Sequence, residues 1–419
     1  MMIYSPRGVE DILPQEALQY KWLEKEASSL FSLYGYKEIR VPIFEKTELF
    51  QRSVGKETDT GKQMYIFSDK KGRSLSLRPE ATASIVRAYL EHNIFVQNRE
   101  WRVWYAGSMF RYERPQSARS REFHQIGVEA IGEKNPHLDV EIIEMAYLFF
   151  KRIGLTNLKI QLNSIGCRKC RPLYEEKIES LLKKDLKNLC STCQRRYKYN
   201  ILRILDCKKE SCRKIIKKLP LIENYLCSDC QAHFKEVKEG LKKLHIDFTV
   251  NPYLVRGLDY YTRTVFEIIS PSLGAQNTFC AGGRYDNLVE DLGGSPTPAI
   301  GFSIGEERLL LALKKEKESF LPQGSPPVHI IVIGEENYEW GYKVANLLRS
   351  KEIKTKINLS FKNLSSQLKR ANKEKIKWVV IIGEEEIKKK KIIFRDMESG
   401  EQSEISWEKI EEFSEKLRS

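Results

Sequence analysis

Between Cys167 and Cys230 the chain places eight of its nine cysteines in four close pairs, CRKC, CSTC, CKKESC and CSDC. Thiolates at such spacing are metal ligands before anything else. Cys167, Cys170, Cys190 and Cys193 read Cys-x2-Cys-x19-Cys-x2-Cys, which is zinc-site spacing. Cys207, Cys212, Cys227 and Cys230 read Cys-x4-Cys-x14-Cys-x2-Cys, a looser match. Four pairs can combine in three ways, and joining neighbours closes the shortest loops. One or two structural Zn2+ ions are therefore expected, with the first four cysteines as one ligand set and the last four as the other.

A second kind of chemistry is carried by arginine. Arg78, Arg111, Arg256, Arg284 and Arg308 stand at the ends of strand-like runs. A guanidinium is a fixed fork of donors suited to phosphate oxygens. Phosphoryl-type transfer works mainly by positioning and charge stabilisation, so arginines with Mg2+ can supply the apparatus. For any one arginine, an ordinary structural ion pair is the commoner role. Other chemistries have no support: G-x-x-x-x-G-K-[ST], G-x-S-x-G and H-E-x-x-H do not occur, nor does G-x-G-x-x-G after a strand.

Elements must position these groups. YKWLEKEASSLFSLYGY has helical apolar spacing and stops at Gly35. KEIRVPIFEKTELF reads as a strand with Pro42 at an edge or break, and MYIFSDKKGRSLSLRPE as a hairpin over DKKGR. ATASIVRAYLEHN is a helix. REWRVWYAGSMFRYER and REFHQIGVEAIG are long strands flanking the arginine-rich loop RPQSARSR. A helix, LDVEIIEMAYLFFKRIGL, and a strand, LKIQLNSIG, precede the cysteine segment. Strands resume at FTVNPYLVRGLDYYTRTVFEII and TFCAGGRYDNLV, and PAIGFSIGEERLLLALKKE turns from strand to helix. After the linker SFLPQGSPPV, strands alternate with helices to the end, as in a small α/β module. The expected class is α+β: an antiparallel sheet with flanking helices over residues 1–166 and 246–320, an inserted helical domain over 167–245, a linker at 321–327, and an α/β domain at 328–419.

Charge is uneven. Residues 167–245 hold 21 Lys+Arg against 10 Asp+Glu, a net of +11 out of +14 for the chain. A basic segment of this kind attracts a polyanion, and its low apolar content leaves metal to organise it. No apolar run approaches a membrane span. The N-terminal MMIYSPRGVEDILP lacks a signal or transit pattern, so a cytoplasmic location is expected.

Three stretches, GYKEIRVPIFEKTELF, FRYER with REFHQIGVE, and AIGFSIGEERLLLAL, resemble the three signature motifs of class II aminoacyl-tRNA synthetases. LVRGLDYYTRTVFE and AGGRYDNLV resemble the pair of blocks peculiar to histidyl-tRNA synthetases, and RGVEDILP and SLRPEATASIVRAY match that family too. The resemblance spans the chain and implies ATP-dependent ligation of L-histidine to tRNA(His) through a histidyl adenylate. It implies roles as well. Arg111 and Arg256 would flank the α-phosphate. Glu113 and Phe123 would hold adenine, and Arg308 the other adenine face or the outer phosphates, with Mg2+ on the β- and γ-phosphates. Glu80, Thr82 and Gln125 would take the histidine ammonium. Glu129 and Tyr261 would read the imidazole, with Tyr260 and Tyr285 closing the pocket. Arg114, Gln116, Arg119 and Arg121 would meet the tRNA acceptor end, the basic insertion its stem, and the C-terminal module its anticodon. Ala81 stands where many relatives carry glycine. A homodimer is implied, built on the first motif. Two alternatives share the fold: an inactive paralogue serving as a regulatory subunit of ATP phosphoribosyltransferase, and a class II synthetase for another amino acid.

Overall fold

The computed structural model describes residues 2–55, 58–98, 100–114, 120–271, 278–316, 327–360 and 363–416. It divides into two compact units, Met1–Leu321 and Pro322–Ser419.

The first unit is organised by an eight-stranded sheet. Its strand order is Lys37–Glu38, Trp101–Phe110, Glu122–Ile131, Ala299–Gly305, Thr278–Arg284, Thr262–Ile269, Lys159–Ser164 and Phe248–Val250. The two edge pairings are parallel and the inner ones antiparallel. The two ten-residue strands flanking the arginine-rich loop pair in unbroken register from Trp101 opposite Ile131 to Phe110 opposite Glu122. Alternation then sorts the side chains. Ile126, Val128 and Ala130 point to one face, with Ile300, Phe302 and Ile304 beside them. That face is covered by the helices Pro14–Leu33, Pro136–Arg152 and Glu306–Glu316, through Leu23, Phe31, Ile143, Phe149 and Leu309. Each such aliphatic or aromatic side chain contributes about 1.5–3 kcal/mol by leaving water. The odd-numbered residues of the same strands face the other way, and they line the site.

Several local expectations change. KEIRVPIFEKTELF is two short strands, Lys37–Glu38 and Phe44–Lys46, separated around Pro42 and followed by the helical turn Thr47–Phe50. Proline supplies no amide proton to a ladder, which explains the break. The DKKGR hairpin forms, between Ile66–Ser68 and Ser74–Leu77. Asp69 Oδ1 accepts from the Lys71 and Arg73 amides, and Gly72 has φ +75°, which glycine adopts without strain. The run from Phe248 to Ile269 is not one strand. It leaves the sheet after Val250 and rejoins at Thr262, so that VRGLDYY forms a loop above the strand ends.

The insertion is helical: Arg171–Asp185, Ser191–Tyr199, Glu210–Ile216 and Ser228–Lys243. It is better packed than its composition suggested. Tyr174, Ile178, Leu182, Ile204 and Ile222 are buried in the same hydrophobic cluster as Val86, Tyr105 and Tyr261 of the body. Its last helix is also tied down by a buried polar group: His233 Nε2 lies 2.7 Å from Asp139 Oδ2.

In the second unit a five-stranded sheet runs Thr355–Asn358, Val328–Val332, Trp378–Ile382, Lys391–Asp396, Gln402–Ser406. The first three strands are parallel and the last two form an antiparallel hairpin that the sequence reading did not separate from the closing helix. The lysine-rich IKKKKI hides its first strand.

Two of the five strand-end arginines are structural. Arg78 donates to the carbonyls of Ser108 and Val41, both at 2.8 Å. Arg284, with no exposed side-chain surface, pairs with Asp139 at 3.1 Å and Asp286 at 3.3 Å, and donates to the Glu133 carbonyl. Removing one partner of a buried pair leaves an uncompensated charge. Arg284→Met should therefore lower the stability of the first unit by about 3–5 kcal/mol in urea unfolding; a loss under about 1 kcal/mol would show that the network carries no such weight.

Candidate active site

The odd-numbered face of the sheet floors a cavity of about 850 Å³. Phe123, Gln125 and Glu129 come from one strand, Gly301, Ser303 and Gly305 from its neighbour, and Glu267 and Thr278 from the next two. Glycine is required at 301, since a Cβ there would sit 1.9 Å from Glu129 Oε2. A small residue at that position is what admits a carboxylate into the middle of the sheet.

Glu129 is fully enclosed. Thr82 Oγ1 donates to its Oε1 at 2.7 Å, and the Tyr285 hydroxyl donates to Oε2. Burial, opposed by those two hydrogen bonds and aided by the Glu80 charge, pushes its carboxyl up to about 8. Tyr260 packs on Tyr261 with ring centroids 4.8 Å apart and meets Tyr285 edge-on at 5.7 Å. Burial holds the phenols of Tyr260 and Tyr285 well above their usual range. The pocket at this end is thus an enclosed aromatic box with the Glu129 carboxyl group at its floor and Glu80 beside it, surroundings in which a polar ligand group must find a partner. Gln125 Oε1 is buried with no hydrogen-bond partner among the described residues, and Gln125 lines the cavity.

Glu80 caps the helix Thr82–Glu91: its carboxylate accepts from the Thr82 amide at 2.7 Å and the Ala83 amide at 3.0 Å. Capping keeps it rigid, while it still borders the cavity.

At the other end stand the arginines. Arg111 Nε donates to the Pro79 carbonyl at 2.9 Å, and its guanidinium lies 5.1 Å from the Phe123 ring centre. Glu113, buried, lines the same wall. Arg308 donates to the Thr278 carbonyl at 3.0 Å; burial, and then the nearby Arg111 charge, hold its pKa below the ordinary arginine value. Arg256, on the loop after Val250, donates to Glu267 Oε1 and stands 5.6 Å from the Tyr261 ring centre. Glu267 is fixed in turn by the Thr278 hydroxyl at 2.9 Å. Three guanidinium groups converging on one cavity suit a polyanionic ligand.

All twelve residues expected to bind histidine or ATP thus border one cavity or its wall. The tRNA-facing set is placed only in part. Gln116 and Arg119 lie outside the described residues. Arg114 is exposed, and Arg121 is committed to the protein, over the Tyr112 ring at 4.1 Å and donating to the Arg7 carbonyl at 3.2 Å. Sequence reasoning missed Glu267, and it missed Asp59, Arg196, Arg203 and Lys208, which also border the cavity. Glu267 closes the block LVRGLDYYTRTVFE, and its tie to Arg256, eleven residues back, shows only once the loop folds over the strand Thr262–Ile269. Arg196, Arg203 and Lys208 belong to the insertion, set aside as a separate domain, and Asp59 opens a short helix, Asp59–Lys62, outside every motif read.

The eight paired cysteines gather into two groups, and the grouping corrects the expected one. Cys167 and Cys170 meet Cys227 and Cys230, while Cys190 and Cys193 meet Cys207 and Cys212. The pairs are nested, outer with outer. The N-terminal ends of helices 171–185 and 228–243 come together at Cys167, Cys170, Cys227 and Cys230, so sequence neighbours are not spatial partners. Sulphur separations are 3.7 Å for Cys167–Cys170, 3.9 Å for Cys167–Cys227, 3.8 Å for Cys170–Cys230 and 3.9 Å for Cys190–Cys207. A tetrahedral site with bonds of about 2.3 Å has edges of about 3.8 Å, which these separations match, and in each set all four sulphurs lie within 4.8 Å of one another, as a four-thiolate metal site needs.

Residues 8–309 match the family model described as histidyl-tRNA synthetase, and residues 327–417 match the one described as anticodon binding domain. The chain is 44% identical over 414 residues to the histidine–tRNA ligase of Natranaerobius thermophilus, covering 98% of each. It is 46% identical over 407 residues to that of Acetivibrio thermocellus, covering 97% of this chain and 98% of the relative. The apo histidyl-tRNA synthetase of S. aureus superposes with a TM-score of 0.82 at 35% identity over the whole of both chains. A cavity with a carboxyl-and-tyrosine end and an arginine end, set in a chain whose full length follows these relatives, leaves one assignment: the chain belongs to the histidyl-tRNA synthetase family, with an anticodon-binding domain at its C-terminus.

Proposed function

We propose that this chain ligates L-histidine to tRNA(His) through a histidyl adenylate, and that the cavity above is where the adenylate forms. One observation carries the residue roles: a dry pocket holding Glu129 opens directly onto a wall of three arginines. Neutral imidazole has one donor and one acceptor nitrogen. Glu129 and Tyr261 face that ring, and an apolar analogue would leave both unpaired in a place without water. Glu80, Thr82 and Gln125 receive the ammonium. The carboxylate of histidine and the α-phosphate of ATP are both anionic, so they approach only between cations. Arg111 and Arg256 provide these on opposite sides, pre-aimed by the Pro79 carbonyl and by Glu267 and so requiring no reorganisation during reaction. Phe123 and Glu113 hold the adenine, Arg308 the outer phosphates or the exposed base face, and Mg2+ arrives with ATP on its β- and γ-phosphates.

The remaining parts serve tRNA. The basic insertion meets the acceptor stem through phosphates, the loop bearing Arg114, Gln116, Arg119 and Arg121 the acceptor end, and the C-terminal module the anticodon. Each four-cysteine group holds a structural Zn2+, for which four thiolates are a closed donor set with no open position for chemistry. Reducing conditions of the cytoplasm suit eight unpaired thiols. Ile43, Phe44, Ile66 and Phe67 are exposed around the small sheet of Phe44–Lys46, Ser74–Leu77 and Ile66–Ser68; this apolar patch supports a homodimer, and sedimentation at micromolar concentration should give twice the 48.9 kDa chain mass rather than the monomer.

ATP–pyrophosphate exchange should respond to histidine alone among the amino acids; no exchange with any of them would favour the regulatory paralogue. In the same assay Arg256→Ala should lower the rate by more than tenfold, about 1.4 kcal/mol, with the histidine KM little changed, because a cation that meets the transition state acts on rate. A smaller loss would remove Arg256 from that role.

Protein purified without chelator should contain two zinc ions per chain. The nested grouping makes a sharper demand: Cys167→Ser and Cys227→Ser should each release the same single ion, and Cys190→Ser and Cys207→Ser the other. Release of one ion by Cys167→Ser and a different one by Cys227→Ser would overturn the pairing.

A further inference from the structure

We infer that Arg203, held by Asp59, is a positioning residue for the loop that carries Arg256, so that the cysteine-rich insertion acts on amino-acid activation and not on tRNA contact alone. The inference rests on the role given to Arg256 above.

The insertion approaches the active site with one edge, the helix Ser191–Tyr199 and the 3-10 turn Ile201–Ile204 that follows it. Three of its arginines converge on one carboxylate of the body. Asp59 takes Arg196 at 2.9 Å, Arg195 at 3.4 Å and Arg203 at 3.7 Å. Arg203 also reaches Asp206 at 3.6 Å, and its own carbonyl accepts from Arg196 at 2.9 Å. This side chain is mostly buried, with 17% of its surface exposed. Its planar group faces Gly257 across a space about one methyl group deep, since a Cβ added there would come within 3.7 Å of Nη1, and its own amide donates to Asn200 Oδ1 at 3.2 Å. Gly257 follows Arg256 directly. On the far side of the same loop, Asn200 donates to Asp259, and Arg171 donates to the Tyr261 carbonyl at 2.8 Å. Asp259 is hemmed in from the body as well, since a Cβ on Gly55 would meet its Oδ2 at 2.6 Å.

The loop from Val255 to Tyr261 is therefore bonded at two points by side chains of the insertion, Asn200 at Asp259 and Arg171 at the Tyr261 carbonyl, and it belongs to no strand or helix. An arginine poised against a transition state must be fixed to within a fraction of an ångström to be effective. Glu267 fixes the guanidinium of Arg256, but its backbone has no ladder to fix it; Arg203, which ties the turn to Asp59 and holds Asn200 where it meets Asp259, supplies that restraint. Arg203 lies outside every motif the chain shares with its family's catalytic blocks, which is why only the folded arrangement brings it to notice.

The test is ATP–pyrophosphate exchange without tRNA, on full-length Arg203→Met, Arg203→Lys, Asp59→Asn and Arg256→Ala, with circular dichroism and melting to confirm folding. Arg203→Met should lower kcat at least fivefold with the KM values for histidine and ATP within twofold. Arg203→Lys, which keeps the charge, should recover part of the rate, and a purely structural lesion would not give that split. Arg203→Met placed on Arg256→Ala should cost nothing further, since the two would act as one unit. Should Arg203→Met not fold, Asp59→Asn carries the same expectation. An unchanged kcat overturns the inference, as does full additivity with Arg256→Ala. So does a raised ATP KM at constant kcat, which would make Arg203 a direct phosphate ligand. If Arg256→Ala itself stays within tenfold of the parent, the Arg256 role has failed instead.

Discussion

A carboxyl group in the middle of a β-sheet, shut away from water, is the constraint on which the rest of this structure turns. Glu129 can stand there only because Gly301 opposite it has no side chain, because Thr82 and Tyr285 reach it with hydroxyls, and because a ring of tyrosines closes above it. Each of those supports comes from a different part of the chain. Thr82 begins a helix that Glu80 caps, Tyr285 follows a strand ending in the buried Arg284, and Gly301 sits on the strand between them. The two long strands exist to carry this arrangement in register. Desolvation of the carboxyl is tolerable only while all the partners remain in place.

The arginine end obeys the same logic with the opposite charge. Arg111, Arg256 and Arg308 face a shared space, and each is bonded to a carbonyl or carboxylate that fixes its direction. Placing cations together raises the energy of the empty site, and an anion with several phosphates relieves it. The two ends are joined by strands of alternating residues, so a ligand with a small polar ring at one end and phosphates at the other meets both.

Much of this was legible in the sequence. REFHQIGVEAIG reads as a long strand, which it is, and the resemblance named Phe123, Gln125 and Glu129 on it, while the run after Glu80 read as a helix start, which it also is. What failed to show was contact across distance. Nothing local separates Arg284, which is locked in the core, from Arg111, which faces the cavity; both follow a strand. The stretch VRGLDYY has the β-branched and aromatic content of a strand, yet tertiary packing holds it as a loop. Shortest-loop reasoning paired the cysteines wrongly because the ends of the insertion return to the same point, a consequence of the sheet's connectivity. The IKKKKI run concealed a strand, since Lys388 to Lys390 lead straight into Lys391–Asp396 and carry none of the apolar alternation on which strands are recognised.

The nested cysteines also bear on how freely this part of the chain can change. Cys167 comes three residues after the strand Lys159–Ser164, and Cys230 opens the helix that leads back to Phe248–Val250 beside it. The outer four sulphurs therefore gather where the excursion leaves the sheet and returns. With its stem closed, the span between them can lengthen or shorten at small entropic expense, because closure cost rises only with the logarithm of loop length. Geometrically it is a cassette, replaceable without disturbing the strands. Chemically it is not, since whatever replaces it inherits the task of holding the loop around Gly257 through Asp259 and the Tyr261 carbonyl. Exchange of this segment between lineages would be open to any fold that fits between two adjacent strand ends, and restricted to those that bring a cation to the same glycine.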